Sequence, residues 1–232
     1  VRIDGLTTYL RVIVAPQRAF ARLADAPTWG WAALAGILLT LAALLIAEPA
    51  QLHMLAVSEA HRLATMSAGD RLRERLASAQ VAPYVRSLFT LGAITTPWIA
   101  WALIASFLFI AAAIGRGRIS FGAAWVATLN SYAVYGVAGV VNSILVSLRD
   151  PSTVNTALDL VRLPSVGWLF PHDATLGAFF SAYNILSVWY YAVVAIALQR
   201  LMRMHPAGAA AAAFVFSLLC GLFAAAGARG GP

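Results

Sequence analysis

Three asparagines and several sets of arginines are the residues in this chain with chemistry to offer. Asn130, Asn142 and Asn184 stand in stretches that contain no Asp, Glu, Lys or Arg, beside Ser131, Ser143, Ser187 and Tyr183. Amides in such surroundings donate and accept hydrogen bonds but relay no protons. Asn130 and Asn142 are twelve residues apart, about 120° around a helix of 3.6 residues per turn, so they share no face. Hydrogen bonding between helices is the first expectation, at about 0.6 kcal/mol each. The second is a mid-depth cavity lined by the three amides around Pro97, where a solute could pass. The arginines Arg18, Arg22, Arg116, Arg118, Arg200 and Arg203 flank the uncharged stretches, and all sixteen basic residues are arginine. A guanidinium holds phosphate through two parallel hydrogen bonds. With Phe20 and Trp29 these arginines form an expected edge for binding lipids or partner proteins.

Other chemistry finds little support. His53 and His61 flank Glu59 at helical spacing, but no H-E-x-x-H pattern and no third close ligand accompany them. There is no G-x-S-x-G, phosphate-cradling glycine loop or pair of carboxylates. No catalytic residue, metal or cofactor is expected, and the chain does not read as an enzyme. The single Cys220 cannot form an internal disulfide.

The elements that must position these residues are uncharged runs: 26–47, 87–114, 119–148, 174–199 and 206–228. A spanning helix needs about 20 mainly apolar residues, and one central charge costs about 2.5–3.5 kcal/mol. Hydrophobic residues make up 61% of the chain against about 45–50% in soluble domains. The fold class is therefore all-α, a polytopic membrane helical bundle with five transmembrane helices. The spans are placed at about 28–47, 88–114, 120–148, 175–200 and 206–226, with an external tail at 229–232. Pro97, after Thr95-Thr96, is expected to kink the second span. Ala123, Ala127 and Ser131, and then Gly139 and Ser143, recur every four residues, which lets helix backbones approach within one molecule or between two copies.

Residues 1–25 form an amphipathic lead-in. Pro16 suits the first turn of a helix but not its interior, which predicts one helix over 5–14 and another over 16–24. The arginines of the second either face anionic headgroups or pin the depth of the first span. Arginine counts on the two membrane faces tie, but Arg11, Arg18 and Arg22 stand immediately before the first span and the next arginine is Arg62. That placement puts the N-terminus in the cytoplasm and the C-terminus outside. Loop 48–86 is expected to hold an amphipathic helix around Leu52–Met66, broken near Gly69, a second helix from Asp70, and a boundary at Pro83. In loop 149–173, a helical turn around 154–161 is expected, with Trp168 and Phe170 in the outer headgroup layer. His172-Asp173 is expected to cap the fourth span.

Four segments resemble the Yip domain family, the Ypt/Rab-interacting proteins and their bacterial and archaeal relatives. Pro16-Gln17-Arg18-Ala19-Phe20-Ala21-Arg22-Leu23 and then Pro27-Thr28-Trp29 resemble the P-x-x-x-F-x-x-L opening before the first span. Gly115–Phe121 (GRGRISF) is similar to the connection between the second and third spans. Asn130-Ser131-Tyr132-Ala133 resembles the small-Tyr-Ala run, and Leu186–Trp189 with Gln199–Pro206 the fourth span and the basic turn after it. The resemblance implies five spans and a cytoplasmic N-terminus. Eukaryotic members bind partners in membrane traffic, but the Asp-Leu-Tyr-Gly-Pro stretch they carry before the first span is not found here, so Rab binding is not carried over.

The function expected is that of a non-enzymatic, Yip-like integral membrane protein of the bacterial inner membrane. It would bind lipids or other membrane proteins and contribute to membrane organisation, with a homo-oligomer among the expected partners and nucleic acid excluded. The alternative is a transport component, such as an accessory subunit of an export complex.

Overall fold

The computed structural model describes residues 4–81 and 84–229; Arg2, Pro83 and most of the expected tail lie outside them. The lead-in is two helices, α1 (Asp4–Val14) and α2 (Pro16–Asp25), with Pro16 in the first turn of the second. Then come α3 (Gly30–Ala64), α4 (Ala68–Val81), α5 (Val85–Ile114), α6 (Phe121–Ser147), α7 (Ala174–Ser181), α8 (Ile185–Leu201) and α9 (Pro206–Arg229). Four of these, α3, α5, α6 and α9, contain segments long and apolar enough to cross a membrane.

Two expectations need correction. The helix that carries the first span does not end at residue 47. Helix α3 continues through Pro49 to Ala64, so most of the amphipathic segment expected around Leu52–Met66 is the C-terminal half of the same helix. Pro49 deprives only the Leu45 carbonyl of its donor, and the break falls at Thr65–Ser67 rather than at Gly69. There the Ser67 hydroxyl receives the Asp70 N–H at 3.3 Å and bonds the Asp70 carboxylate at 2.6 Å, a capping arrangement that restarts the chain as α4.

The fourth expected span is not one helix. It is split at Ala182–Asn184 into α7, of 8 residues, and α8, of 17. At 1.5 Å per residue α8 is about 26 Å long, shorter than the hydrocarbon thickness of about 30 Å. Asp173 does cap its segment as expected, receiving the Leu176 N–H at 2.9 Å, and so opens α7.

The long helices alternate in direction. Thr28 meets Asn130, Gly36 meets Tyr132, Leu39 meets Gly136, Ala43 meets Gly139, and Ala50 clusters with Val146, so α3 and α6 run parallel. Helix α5 runs against them, with Trp101 at Gly36 and Phe89 beside Leu44 and Leu52. Tyr190 of α8 faces Tyr135 of α6, and Phe216 of α9 closes on Tyr190. The starts of α6 and α9 and the ends of α5 and α8 thus gather at one end of the bundle, where the lead-in also packs. Outward positions carry large apolar side chains such as Leu38, Leu91, Ile99, Leu103, Leu222 and Phe223. An apolar exterior on this scale needs an apolar surrounding.

Segment 149–173 folds as three single turns, Pro151–Thr153, Ala157–Leu160 and Val166–Leu169. Asp150 opens the first by receiving the Ser152 N–H at 2.9 Å, and this hydrogen bonding holds its carboxyl below the usual carboxylate range. Trp168 is more than half exposed, whereas Phe170 stacks on Phe180 of the adjoining segment at 4.9 Å.

Gly36 allows the α3–α6 approach. A Cβ there would lie 2.8 Å from the fully buried ring of Trp101 and 3.2 Å from Tyr132. Gly36→Val is therefore expected to destabilise the bundle by about 1–3 kcal/mol, seen as a lower thermal midpoint by circular dichroism in detergent. Gly139→Ala, whose new methyl would sit 3.9 Å from Ala43, should leave the midpoint unchanged or raise it by the equivalent of about 0.5–1 kcal/mol.

Candidate functional site

The arginine edge is built on the burial of the lead-in's apolar face. On α2 the buried residues are Pro16, Ala19, Phe20 and Leu23, spaced three and four apart as one face of a helix requires. Ala19, Phe20 and Leu23 join a cluster with Leu108 and Ala112 of α5, Ala124 of α6, and Val194, Leu198 and Met202 at the end of α8. On α1, Val12 is fully buried and Tyr9 nearly so against α3, α5 and α6. The joint between the two helices is tied to α8, whose Trp189 Nε1 donates to the Ile13 carbonyl at 2.9 Å.

One expected edge residue therefore moves. Phe20 is inaccessible; it anchors α2 and presents nothing to a partner. What remains outward on that face is basic. Arg11, Arg18 and Arg22 are all exposed and line one groove of about 390 Å³ with Thr8, Val14 and Ala15. Beside it, sharing Thr8 and Arg22, is a larger hollow of about 760 Å³ walled by Pro27, Trp29, Trp31 and Leu34. Trp29 stays about half exposed at its rim. Arg11, absent from the expected edge, stands across Pro16 from Arg18. The two-helix turn restores the neighbourhood that a single helical repeat would have given.

The other four arginines stand at two paired turns. The Arg118 N–H donates to the Met202 carbonyl at 2.5 Å, and the Gly117 N–H closes on Ala112 at 2.8 Å. A Cβ on Gly117 would fall 2.7 Å from the Met202 carbonyl oxygen, so only glycine lets these turns meet. Arg116 and Arg203 occupy matching left-handed conformations, at φ 54° and 52°, where helices often end on glycine. Arg116, Arg118, Arg200 and Arg203 are exposed, at the same end of the bundle as α2.

The asparagines do not act as a set. Asn130 is buried and its Nδ2 donates to the Thr28 carbonyl at 3.1 Å and to Val126 at 2.9 Å, holding the entry to α3 against α6. Asn142 clamps the loop beyond its own helix: Nδ2 donates to Leu160 at 2.7 Å, while Oδ1 accepts from Arg162 at 2.7 Å and Leu163 at 3.1 Å. Asn184 caps α8, its Oδ1 accepting from Leu186 and Ser187 at 3.1 and 2.9 Å. A cavity of about 530 Å³ does lie beside Pro97, with Asn142 and Asn184 in its wall. Asn130 is not part of it. Four tyrosines are, Tyr132, Tyr135, Tyr190 and Tyr191, and sequence reading passed them over. The only signal was their occurrence in pairs on two uncharged segments.

Apolar helices with an apolar exterior, gathered under a basic end, define a helical integral membrane protein. The chain belongs to the Yip1 domain family, whose model matches residues 10–228. No curated protein and no solved structure matches it significantly.

Asn142→Leu removes three hydrogen bonds from the 160–163 segment and strands two backbone N–H groups. Faster amide hydrogen exchange at Arg162 and Leu163 is expected, with a loss of about 1–3 kcal/mol in stability; exchange across α2 should not change.

Proposed function

We propose that this chain is a non-enzymatic, five-crossing membrane protein that holds anionic phospholipid at a cytoplasmic basic edge and so helps organise the surrounding bilayer. The fourth crossing is α8, with α7 and the Asn184 cap completing the distance. The observation that carries the reading is the groove shared by Arg11, Arg18 and Arg22. It shares Thr8 and Arg22 with the tryptophan-walled hollow at the start of α3. A phospholipid has the same two-part chemistry, a phosphate for the guanidiniums and an acyl chain for the apolar wall. Among the described residues Arg11 and Arg18 have no carboxylate partner, which leaves their forks available. Arginines before the first crossing and at the two short turns favour the cytoplasmic side for this end. Arg116, Arg118, Arg200 and Arg203 extend the positive surface, and a bacterial inner membrane, rich in anionic lipid, suits it.

Each arginine near an anionic surface contributes about 1 kcal/mol. The Arg11→Gln, Arg18→Gln double variant should therefore retain phosphatidylglycerol about thirty-fold less well than the native protein, with less loss on adding salt. Retention is read by native mass spectrometry after extraction from mixed phosphatidylglycerol and phosphatidylcholine membranes. Arg71→Gln on α4 should change nothing. Undiminished phosphatidylglycerol retention by the correctly inserted double variant would remove the edge as the binding surface.

A further inference from the structure

The cavity beside Pro97 is a second site, distinct from the basic edge and near the middle of the bundle. None of the residues that line it is Asp, Glu, Lys, Arg or His. Its walls are mostly apolar, with Ile104 and Phe216 among them, yet hydrogen-bonding groups converge there. Tyr190 is 3% exposed, its ring fixed by Tyr135 at 5.6 Å and Phe216 at 6.0 Å. Its hydroxyl has no hydrogen-bond partner among the described residues. Tyr135 is half exposed, and the neighbouring Tyr132 and Tyr191 hydroxyls are satisfied by Thr40 at 3.0 Å and the Ala182 carbonyl at 3.4 Å. Across the cavity Pro97 has no N–H to give the Ala93 carbonyl, and both residues line the space.

The Tyr190 hydroxyl, on an otherwise buried ring, faces the cavity, and a hydroxyl in apolar surroundings is destabilising until it finds a partner. The volume lies in the range of small-molecule sites, about 300–1,000 Å³. Water needs about two to four polar partners per molecule, and the greater part of this wall is apolar. An ionised headgroup would be desolvated with no countercharge. A pure hydrocarbon would leave the Tyr190 hydroxyl unpaired. From Ala93 and Thr96 a groove of about 480 Å³ continues between α3 and α5 past Leu88 and Phe89, giving an attached chain a way out.

We propose that this cavity binds a neutral, hydroxyl-bearing lipid, its hydroxyl exchanging hydrogen bonds with Tyr190 and its chain lying along the α3–α5 groove. The test uses the full chain in phosphatidylcholine nanodiscs and a long-chain alcohol carrying a mid-chain diazirine. The comparison probe is the same chain ended in phosphate. Photolabelling by the mid-chain group should map to the groove segments of α3 and α5. Tyr190→Phe, which keeps the ring contacts, should weaken capture about five-fold, the loss of one hydrogen bond. Ala93→Phe, which fills the space, should weaken it about ten-fold or more, and the phosphate-ended probe should not compete. Labelling confined to outward-facing residues would overturn the proposal, as would capture unchanged by Tyr190→Phe or equal capture of the phosphate-ended probe. Thermal midpoints of both variants establish that they are folded; should Ala93→Phe fail to fold, Tyr190→Phe and the probe comparison decide the question.

Discussion

Burial of Phe20 and Leu23 under the ends of α5 and α8 and the start of α6 is the constraint on which the basic end of this molecule depends. These side chains are withdrawn from both water and lipid, each contributing about 1.5–3 kcal/mol on full burial. A lead-in held in this way cannot roll on the membrane surface. Its polar face therefore points outward at a fixed angle, and Arg11, Arg18 and Arg22 come to share one groove. The Trp189 bond to Ile13 adds a polar tie at the joint.

Polar groups within the bundle follow a simple division. Each asparagine satisfies backbone that would otherwise be stranded: the entry to α3, the 160–163 segment, or the first turn of α8. Unpaired backbone in hydrocarbon is costly, so these amides are spent on structure and offer little to a passing solute. The Tyr190 hydroxyl is not used in this way. For that reason the chemistry of the cavity is tyrosine chemistry, not amide chemistry.

Much of the architecture was legible from the residues. Pro16 marked the division of the lead-in, Asp173 the cap, and the uncharged runs the four long apolar segments. The failures have physical causes. Glu48 and Pro49 read as the end of a span, but a helix leaving the hydrocarbon need not stop, and α3 continues as an amphipathic rod. The break before Asn184 was hidden because an uncharged run has the same composition whether or not it is continuous. An asparagine that binds the N–H groups two and three residues ahead starts a helix rather than extending one. Phe20 was expected at the binding edge with the arginines, but it lies on the buried face of α2. A single helix's pattern does not say whether that face meets lipid or protein, and here it meets α8.

The most direct test of the docked lead-in is a pulsed electron-spin distance between labels at Gln17 on α2 and at Arg200 near the end of α8, recorded in lipid nanodiscs. A single narrow distribution, unchanged when anionic lipid is replaced by neutral lipid, is the result expected if protein burial holds α2. A broad distribution, or one that shifts with lipid charge, would mean that the membrane surface positions the helix and would contradict the account.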